Sequence, residues 1–328
     1  MGYWINFLLH MQIPILSKLF HQTRQQAGGF SVCINNNGVY FSQVKRGGAM
    51  PQVLVCSFHS VDEVTPDTLE KLRRDEQIGE FRFSTLLAPG EYQMLLVEAP
   101  NVPADELKTA IRWRIKDSLN YHIDDATVDV LQIPAGRNTG ERPQSLYAIA
   151  APNNTIQKRI ELFENANIDL GVIDIPEMAQ RNIAELFEQE GRGLALLAFD
   201  DTGGMLSFTS GGELYLARRI EISLRQLQDA DENLRSQYME RLELELQRSM
   251  DYFSRQFHQV SVNRLLISAP DNLGLIERLS PDLDWPVEKL DLSEVLDISA
   301  VPELADSEFA AHVFYALGAA LRSERRVL

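Results

Sequence analysis

Cysteine, histidine and basic residues are scarce in this sequence, and each shortage excludes a class of protein. The 328 residues include two cysteines, six histidines, and 31 Lys and Arg against 47 Asp and Glu. Cys33 and Cys56 both lie in apolar strand patterns and are too few for a disulfide framework, so we interpret them as reduced core residues. The histidines are scattered without a His-x-x-x-His pair, so we expect no zinc centre and no other metal site.

The charge balance excludes a second group of functions. The formal net charge is −16 and the isoelectric point is about 4.8. Nucleic acids and anionic membranes are negatively charged and bind mainly to basic protein surfaces, so neither is expected as the main partner. A hydrophobic content of 45% and a charged content of 24% are typical of a folded soluble protein, and the length allows two domains.

The sequence also lacks a convincing membrane span and the motifs of common enzymes. Residues 4–20 are apolar, but Pro14 and Lys18 interrupt a run that is too short to span a bilayer securely. We expect this segment to lie on a membrane surface or on a partner, and Met11 offers an alternative start. There is no Walker loop, no Gly-x-Ser-x-Gly elbow and no convincing Ser-His-Asp order, so we expect no catalytic residues.

The most informative stretch runs from Leu194 to Ile220 and reads as three strands joined by two glycine turns. Leu194–Phe199 is a short apolar run typical of a strand buried on both faces. The turn that follows contains Asp200, Asp201, Thr202, Gly203 and Gly204. A carboxylate before Thr-Gly-Gly lets backbone N–H groups approach a phosphate while the acid holds a metal-bound water. The alternative is a plain hairpin with a polar first turn.

A similar strand meander is predicted in the first half of the chain, starting after residue 28. Strands are predicted over 30–35, 38–45 and 52–59, and Asn35-Asn36-Asn37-Gly38 forms the first turn. Strand meanders followed by helices occur twice, around a middle near residue 190. We therefore predict an α/β protein with an N-terminal segment over 1–27, a first half over 28–190 with an insertion over about 87–148, and a second half over 191–328. Two such hairpins facing one cleft are the nucleotide-gripping arrangement of the actin-like ATPase fold.

Helical periodicity predicts two further features. Residues 224–257 read as one long helix region with a buried seam at Tyr238, Leu242, Leu246, Met250, Phe253 and Phe257. Pro103 is predicted to open a helix to about Leu119. Trp113 lies off the apolar stripe of that helix, beside Arg112 and Arg114, and is interpreted either as a partner contact or as packing within the insertion.

The sequence resembles the PilM family of type IV pilus assembly proteins, most closely its MshI-type members from the mannose-sensitive haemagglutinin (MSHA) pilus system. The similarity covers most of residues 28–323. The residues that carry it, in chain order, are Val97-Glu98-Ala99-Pro100, Leu107–Trp113, Asp124–Ile133, Asp174-Ile175-Pro176-Glu177, Asp201-Thr202-Gly203-Gly204, Arg218-Arg219-Ile220 and Tyr315–Arg322.

The resemblance implies an actin-like ATPase fold, two related α/β halves with an FtsA-type inserted subdomain. It also implies a cytoplasmic protein docked peripherally at the inner membrane. Such a scaffold would bind the cytoplasmic N-terminus of a PilN-like bitopic inner-membrane protein and link it to the pilus assembly ATPase complex. The alternatives are an active ATPase or sugar-kinase-type enzyme with a functional Mg-ATP cleft, and a filament-forming homo-oligomer.

The nucleotide motifs that this fold implies are degraded. The second hairpin keeps Asp-x-Gly, but the first has Asn36 where an acid is expected, and Asn brings no charge to hold Mg²⁺. Ala269-Pro270 follows the late strand where a Gly-Gly pair is expected. We therefore expect a degenerate site for ATP with Mg, without meaningful hydrolysis. Its residues are Asn36, Gly38, Asp201, Thr202, Gly203 and Gly204.

Overall fold

The computed structural model describes residues 28–35, 37–79, 81–134, 144–200, 202–229, 231–281, 283 and 285–323. The hypothesis of membrane contact by residues 1–20, and the site residues Asn36 and Asp201, therefore lie outside the described residues. None of the helices in the described part of the chain combines the length and the apolarity that crossing a bilayer requires.

The described residues form thirteen strands and eight α-helices. The strands are β1 (Gly28–Asn35), β2 (Gly38–Lys45), β3 (Gln52–Ser60), β4 (Arg82–Leu86), β5 (Gln93–Glu98), β6 (Ala126–Gln132), β7 (Ser145–Pro152), β8 (Asp169–Asp174), β9 (Gly193–Asp200), β10 (Gly203–Ser210), β11 (Glu213–Ile220), β12 (Val262–Ser268) and β13 (Val287–Lys289). The helices are α1 (Pro66–Asp75), α2 (Leu107–Ile115), α3 (Asn153–Asn165), α4 (Pro176–Phe187), α5 (Leu224–Leu227), α6 (Glu232–Gln256), α7 (Leu275–Leu279) and α8 (Ser307–Ala320).

Two sheets of five strands share one topology. The first has the order β3-β2-β1-β4-β8 and the second the order β11-β10-β9-β12-β13. In the first sheet β1, β2 and β3 pair antiparallel, and β4 and then β8 are added parallel on the other side of β1. In the second sheet β9, β10 and β11 pair antiparallel, and β12 and then β13 are added parallel on the other side of β9. At the Gly211-Gly212 turn between β10 and β11 both glycines have positive φ, +62 and +70, which is the backbone conformation of a tight hairpin. The repeat predicted from the strand pattern is therefore present in the structure.

Two helices hold the sheets together by crossing between them. Helix α4 follows the first sheet in the chain but packs on β9, β10 and β11, whereas α8 follows the second sheet and packs on β1 and β2. The helices touch where Gly318 meets Ala179, since a Cβ at Gly318 would lie 2.3 Å from the Ala179 carbonyl oxygen. Ser31 donates to the Ala316 carbonyl at 2.7 Å and Ser84 to the Ala319 carbonyl at 3.2 Å. The interface between the halves is therefore tight at this crossing.

A separate sheet, with the order β5-β7-β6, is inserted between β4 and α3. Helix α2 covers one face of it, and its Leu107, Ile111 and Ile115 form a small core of their own with the strands. Residues on the opposite face, including Tyr147 and Ile149, join the core of the second half. The insertion therefore bridges both halves.

Two predicted helix regions differ in the structure. The helix expected from Pro103 to Leu119 is α2, Leu107–Ile115, followed by a 3-10 turn. The region 224–257 divides into α5 and α6, because the Asp231 carboxylate accepts from Asn233 N and Leu234 N and so starts a new helix. Gly274, with φ +58, separates a 3-10 turn over Asp271–Leu273 from α7. The predicted seam of α6 is confirmed, since Leu242, Leu246 and Phe253 are buried, and both cysteines are buried in strands as expected.

Candidate functional site

A cleft of about 590 Å³ lies between the two halves of the protein. The ends of β1 and β9 and the loop after β4 form its floor, and one face of α8 forms a wall. Both predicted hairpins therefore reach the same cleft. Its lining residues are Cys33, Ile34, Asn35, Tyr40, Leu86, Leu87, Ala88, Pro89, Pro176, Phe199, Asp200, Thr202, Leu224, Gln228, Pro270, Asp306, Glu308, Phe309, Ala311, His312, Tyr315 and Ala316.

The first hairpin turn is closed by the side chain of Asn35. Its Oδ1 accepts hydrogen bonds from the backbone N–H groups of Asn37, at 2.9 Å, and Gly38, at 3.1 Å. Its Nδ2 donates to the Tyr40 hydroxyl at 2.9 Å. The N–H groups that a phosphate would use are therefore already bonded within the turn.

The second hairpin repeats this arrangement with a carboxylate. Asp200 Oδ1 accepts from Thr202 N at 2.8 Å, from Thr202 Oγ1 at 2.8 Å and from Gly203 N at 3.0 Å. The register Asn35↔Gly38 matches Asp200↔Gly203, so Asn35 and Asp200 are structural equivalents. Each closes its own turn from the last residue of the strand.

Arg219, on the neighbouring strand β11, completes the second hairpin. Its guanidinium donates to Asp200 Oδ1 and to Thr202 Oγ1. Burial by itself would lower the pKa of Arg219. The hydrogen bond and the ion pair with Asp200 outweigh this effect and raise the pKa above its ordinary value, so Arg219 stays charged. The Asp200 carboxylate is therefore neutralised from within the protein. This role of Arg219 was not predicted from the sequence, although the β10–β11 hairpin could have indicated that Arg219 lies beside the turn.

The predicted glycines serve the packing of the sheets. A Cβ at Gly38 would lie 2.0 Å from the His59 carbonyl oxygen, and one at Gly203 would lie 2.4 Å from that of Ile220. A Cβ at Gly204 would lie 3.0 Å from the Phe199 ring. Of the predicted site residues that the structure describes, Thr202 lines the cleft, while the three glycines lie behind its surface. Neighbouring strands are therefore sufficient to explain glycine at these positions.

The described residues do not fit Mg-ATP. Among those that line the cleft, the charged ones are the acids Asp200, Asp306 and Glu308, and no Lys or Arg is present. Triphosphate binding requires cations and free N–H donors. In the described part of the hairpins, Arg219 is paired with Asp200, and the N–H groups of Asn37, Gly38, Thr202 and Gly203 are bonded within their own turns. Pro270 lines the cleft where the fold expects bare backbone, and it has no N–H. No group of three or more potential metal ligands occurs within the described ranges.

A buried polar network lies beneath the cleft and links the insertion to α4. The Tyr92 hydroxyl donates to Glu177 Oε2 at 2.6 Å, and the Tyr315 hydroxyl donates to Gln180 Oε1 at 3.2 Å. Burial raises the pKa of the Glu177 carboxyl, and the hydrogen bond from Tyr92 offsets part of this rise. Gln180 in turn donates to Ser207 Oγ at 2.8 Å. These contacts position the start of α4 relative to both sheets.

The insertion presents a second surface of interest. Trp113 is 68% exposed, so the alternative that it packs within the insertion is wrong. Arg112, beside it, donates to the Ala126 carbonyl at 2.7 Å, and Arg114 donates to the Glu98 carbonyl. Strand β5 lies at the edge of its sheet, and Leu96 on this strand is 47% exposed. An edge strand with an exposed apolar side chain is able to accept another strand.

No protein-family model matches this sequence, and comparison with curated protein sequences finds no match either. Solved structures do resemble it. One is the PilM–PilN type IV pilus biogenesis complex, at 15% identity and a TM-score of 0.69, over 90% of this chain and 99% of that one. This similarity, together with the two sheets of equal topology, decides the fold. The chain has the actin-like ATPase fold.

Two more distant structures were also found. One is the cytoplasmic domain of EpsL from the type II secretion system of Vibrio cholerae, at 10% identity and a TM-score of 0.45, over 74% of this chain and 82% of that one. The other is a Bacteroides thetaiotaomicron protein with an actin-like ATPase fold, at 11% identity and a TM-score of 0.47, over 84% and 95%.

Proposed function

We propose that this protein is a non-enzymatic scaffold of a type IV pilus assembly machine, and that it binds the cytoplasmic N-terminus of a PilN-like inner-membrane protein. The observation that carries the proposal is the similarity to the PilM–PilN complex, which extends over 90% of this chain and 99% of that one. The sequence motifs given above support the same family. We further propose the MSHA type of pilus, a peripheral position at the inner membrane and a link to the assembly ATPase complex.

The chemistry of the cleft supports a scaffold over the alternative, an active ATPase or sugar-kinase-type enzyme. The Asp200 carboxylate is engaged by Arg219 and by its own turn. A catalytic Mg²⁺ needs carboxylate oxygens that are free to bind it or its waters. Arg219 neutralises Asp200, and no Lys or Arg is among the described residues that line the cleft, so these residues do not supply the cationic contacts of phosphoryl transfer.

We propose that the partner peptide binds at the edge of β5, a strand that pairs only with β7 among the described residues. Leu95 and Val97 point to α2 and fill its core, so the side chains that alternate with them lie on the other face. Leu96 is one of these and is largely exposed. An extended peptide that pairs with β5 would gain backbone hydrogen bonds from the edge and an apolar contact from Leu96. The proposed position of the partner is therefore on the first half of the protein.

Calorimetric titration with a synthetic peptide of the cytoplasmic N-terminus of the PilN homologue tests this proposal. We expect a micromolar dissociation constant that does not change when Mg-ATP is added. Leu96→Asp should weaken binding at least tenfold, because it places a charge on the apolar contact. Leu244→Asp is the matched control, since Leu244 is 44% exposed on α6 and far along the chain from β5. Binding that requires Mg-ATP, or that is absent, would contradict the scaffold proposal. Equal losses in both variants would exclude the β5 edge.

A further inference from the structure

The turn between β2 and β3 offers hydrogen-bond donors that the two hairpins of the cleft do not. Gly47 and Gly48 lie in this turn, and their N–H groups donate no hydrogen bond to another described residue. Gly47 has φ +123, a conformation that favours glycine, and residues 47–50 are all exposed. Backbone N–H groups without a protein partner in an exposed glycine turn are donors for anions.

Two cations precede these glycines and line a cavity of about 550 Å³ beside the turn. Lys45 is exposed and has no ion pair within the described ranges. Arg46 donates to the Leu321 carbonyl, but its Nε is buried without a hydrogen-bond partner in the described part of the chain. A lysine and an arginine next to free N–H donors supply the contacts that phosphate groups make with proteins.

The acid that lines this cavity is engaged by protein donors. Asp297 accepts hydrogen bonds from Gln52 Nε2 at 2.9 Å and from Ser299 N at 3.0 Å. With Lys45 and Arg46 against this one carboxylate, the lining carries a net positive charge. Its sign is opposite to that of the whole chain, which has a formal net charge of −16. The turn is therefore a local site at which an anion is attracted to an acidic protein.

The N-terminal segment joins the fold at the same place. Strand β1 begins at Gly28, which pairs with Lys45, so residues 1–27 enter the first sheet beside the turn. These residues include Trp4 and Phe7 but no Asp or Glu, so all 47 acids of the chain follow them. A stretch that combines apolar and basic residues without acids favours the surface of an anionic membrane. The position of this segment distinguishes a lipid headgroup from a free phosphate as the anion that reaches the turn.

We propose that the β2–β3 turn and the cavity beside it bind the phosphate headgroups of an anionic bilayer, so that this end of the first sheet faces the membrane. The inference rests on the proposed peripheral position at the inner membrane and adds the face of the protein that meets it. Met50, which is 37% exposed at the turn, would contact the boundary between headgroups and acyl chains. Because the rest of the chain is acidic, the contact is local and sensitive to salt.

Sedimentation of the full-length protein with lipid vesicles tests this inference. The vesicles are phosphatidylcholine alone, and phosphatidylcholine with about 30% phosphatidylglycerol, which supplies the anionic surface. We expect the protein to bind the anionic vesicles about tenfold more tightly than the neutral ones, and to lose this preference at about 1 M salt, where charges are screened. Inorganic phosphate, titrated by calorimetry, is the probe for a free anion and should show no binding at vesicle-saturating concentrations.

Charge variants of the turn locate the contact. Lys45→Gln should weaken binding to the anionic vesicles about fivefold, and Lys45→Glu more than Lys45→Gln, because each removes or reverses a charge at the surface. Both changes fall on an exposed side chain, so the fold is kept and far-UV circular dichroism verifies it. Lys158→Glu is the matched control. It makes the same charge change at an exposed lysine of α3 that does not line the cavity, and it should leave binding within about twofold.

The outcomes separate this inference from the pilus proposal. Lys45→Glu should bind the PilN-type peptide as tightly as the original protein does, so a failure of peptide binding in the original protein would count against the scaffold and not against the membrane face. The membrane face is overturned if the original protein shows no preference for anionic vesicles, or if Lys158→Glu weakens binding as much as Lys45→Glu. It is also overturned if Lys45→Glu binds like the original protein, which would place the contact elsewhere, or if inorganic phosphate saturates the site and the vesicles do not.

Discussion

Replacing Gly318 with alanine has two opposite effects on stability: alanine has the higher helix propensity, but its side chain would clash where α4 and α8 cross. Alanine is favoured over glycine inside a helix by about 1 kcal/mol, so propensity alone predicts that Gly318→Ala stabilises the protein. The structure predicts the reverse. A Cβ at this position would lie 2.3 Å from the Ala179 carbonyl oxygen, 2.7 Å from its carbon and 3.1 Å from its Cα. These are backbone atoms of a packed helix and cannot rotate away.

The cost follows from how far the helices must separate. Cβ contacts under 3.0 Å are essentially never seen in real structures, so α8 would have to move by at least roughly 0.7 Å. That movement would loosen a core in which Ile183, Phe314 and Leu317 are fully buried. It would also lengthen the 2.9 Å hydrogen bond from Asn182 Nδ2 to the Gly318 carbonyl. Overpacking of this kind costs about 3 kcal/mol, and the propensity gain offsets about 1, which leaves a net loss of about 2 kcal/mol.

Urea denaturation followed by far-UV circular dichroism measures this difference. Ala310→Gly in the same helix is the matched control, because Ala310 is partly exposed and its variant should lose only the propensity contribution of about 1 kcal/mol. The sign of the Gly318→Ala result is decisive. A variant about 1 kcal/mol more stable than the original protein would refute the reasoning, since the crossing would then have room for a methyl group.

Two further predictions concern buried charges near the cleft. Burial raises the pKa of Glu177 in the folded state above its ordinary value of 4.5. Above pH 4.5 the folded chain therefore holds more protons than the unfolded chain. As the pH rises, the Glu177 carboxyl increasingly destabilises the folded state. The unfolding free energy of Glu177→Gln, measured relative to that of the original protein, should therefore increase as the pH rises above 4.5. A difference that does not change with pH would contradict this prediction. Arg322→Met should lower stability by about 3 kcal/mol, because it leaves the Asp174 carboxylate, 3% exposed, without its partner. Asp174→Asn combined with Arg322→Met should recover part of that loss in the same denaturation assay, and no recovery would show that the pair is not the source.

Local patterns predicted much of the fold. Strand positions, the two glycine hairpins and the α6 seam all follow from side-chain period and turn chemistry, which act over a few residues. The predictions failed at helix boundaries, where single side chains decided. Asp231 caps a new helix, although residues 224–257 read as one continuous helix region. The exposure of Trp113 could not be settled either, because periodicity locates a stripe on a helix but not the surface that covers it.

The sequence by itself determined that there are two halves of one topology, and that two turns of similar chemistry end their first strands. This was possible because strands and turns depend on residues close together in sequence, so the order of hydrophobic runs and turn residues can be read directly from the chain. Only the tertiary structure decided what the cleft is chemically. Arg219 reaches Asp200 from a neighbouring strand, and Glu308, Phe309 and Tyr315 come to the cleft from a helix more than a hundred residues further along. Charge in a cleft depends on which side chains meet in space, and residues so distant in sequence leave no local pattern of their meeting.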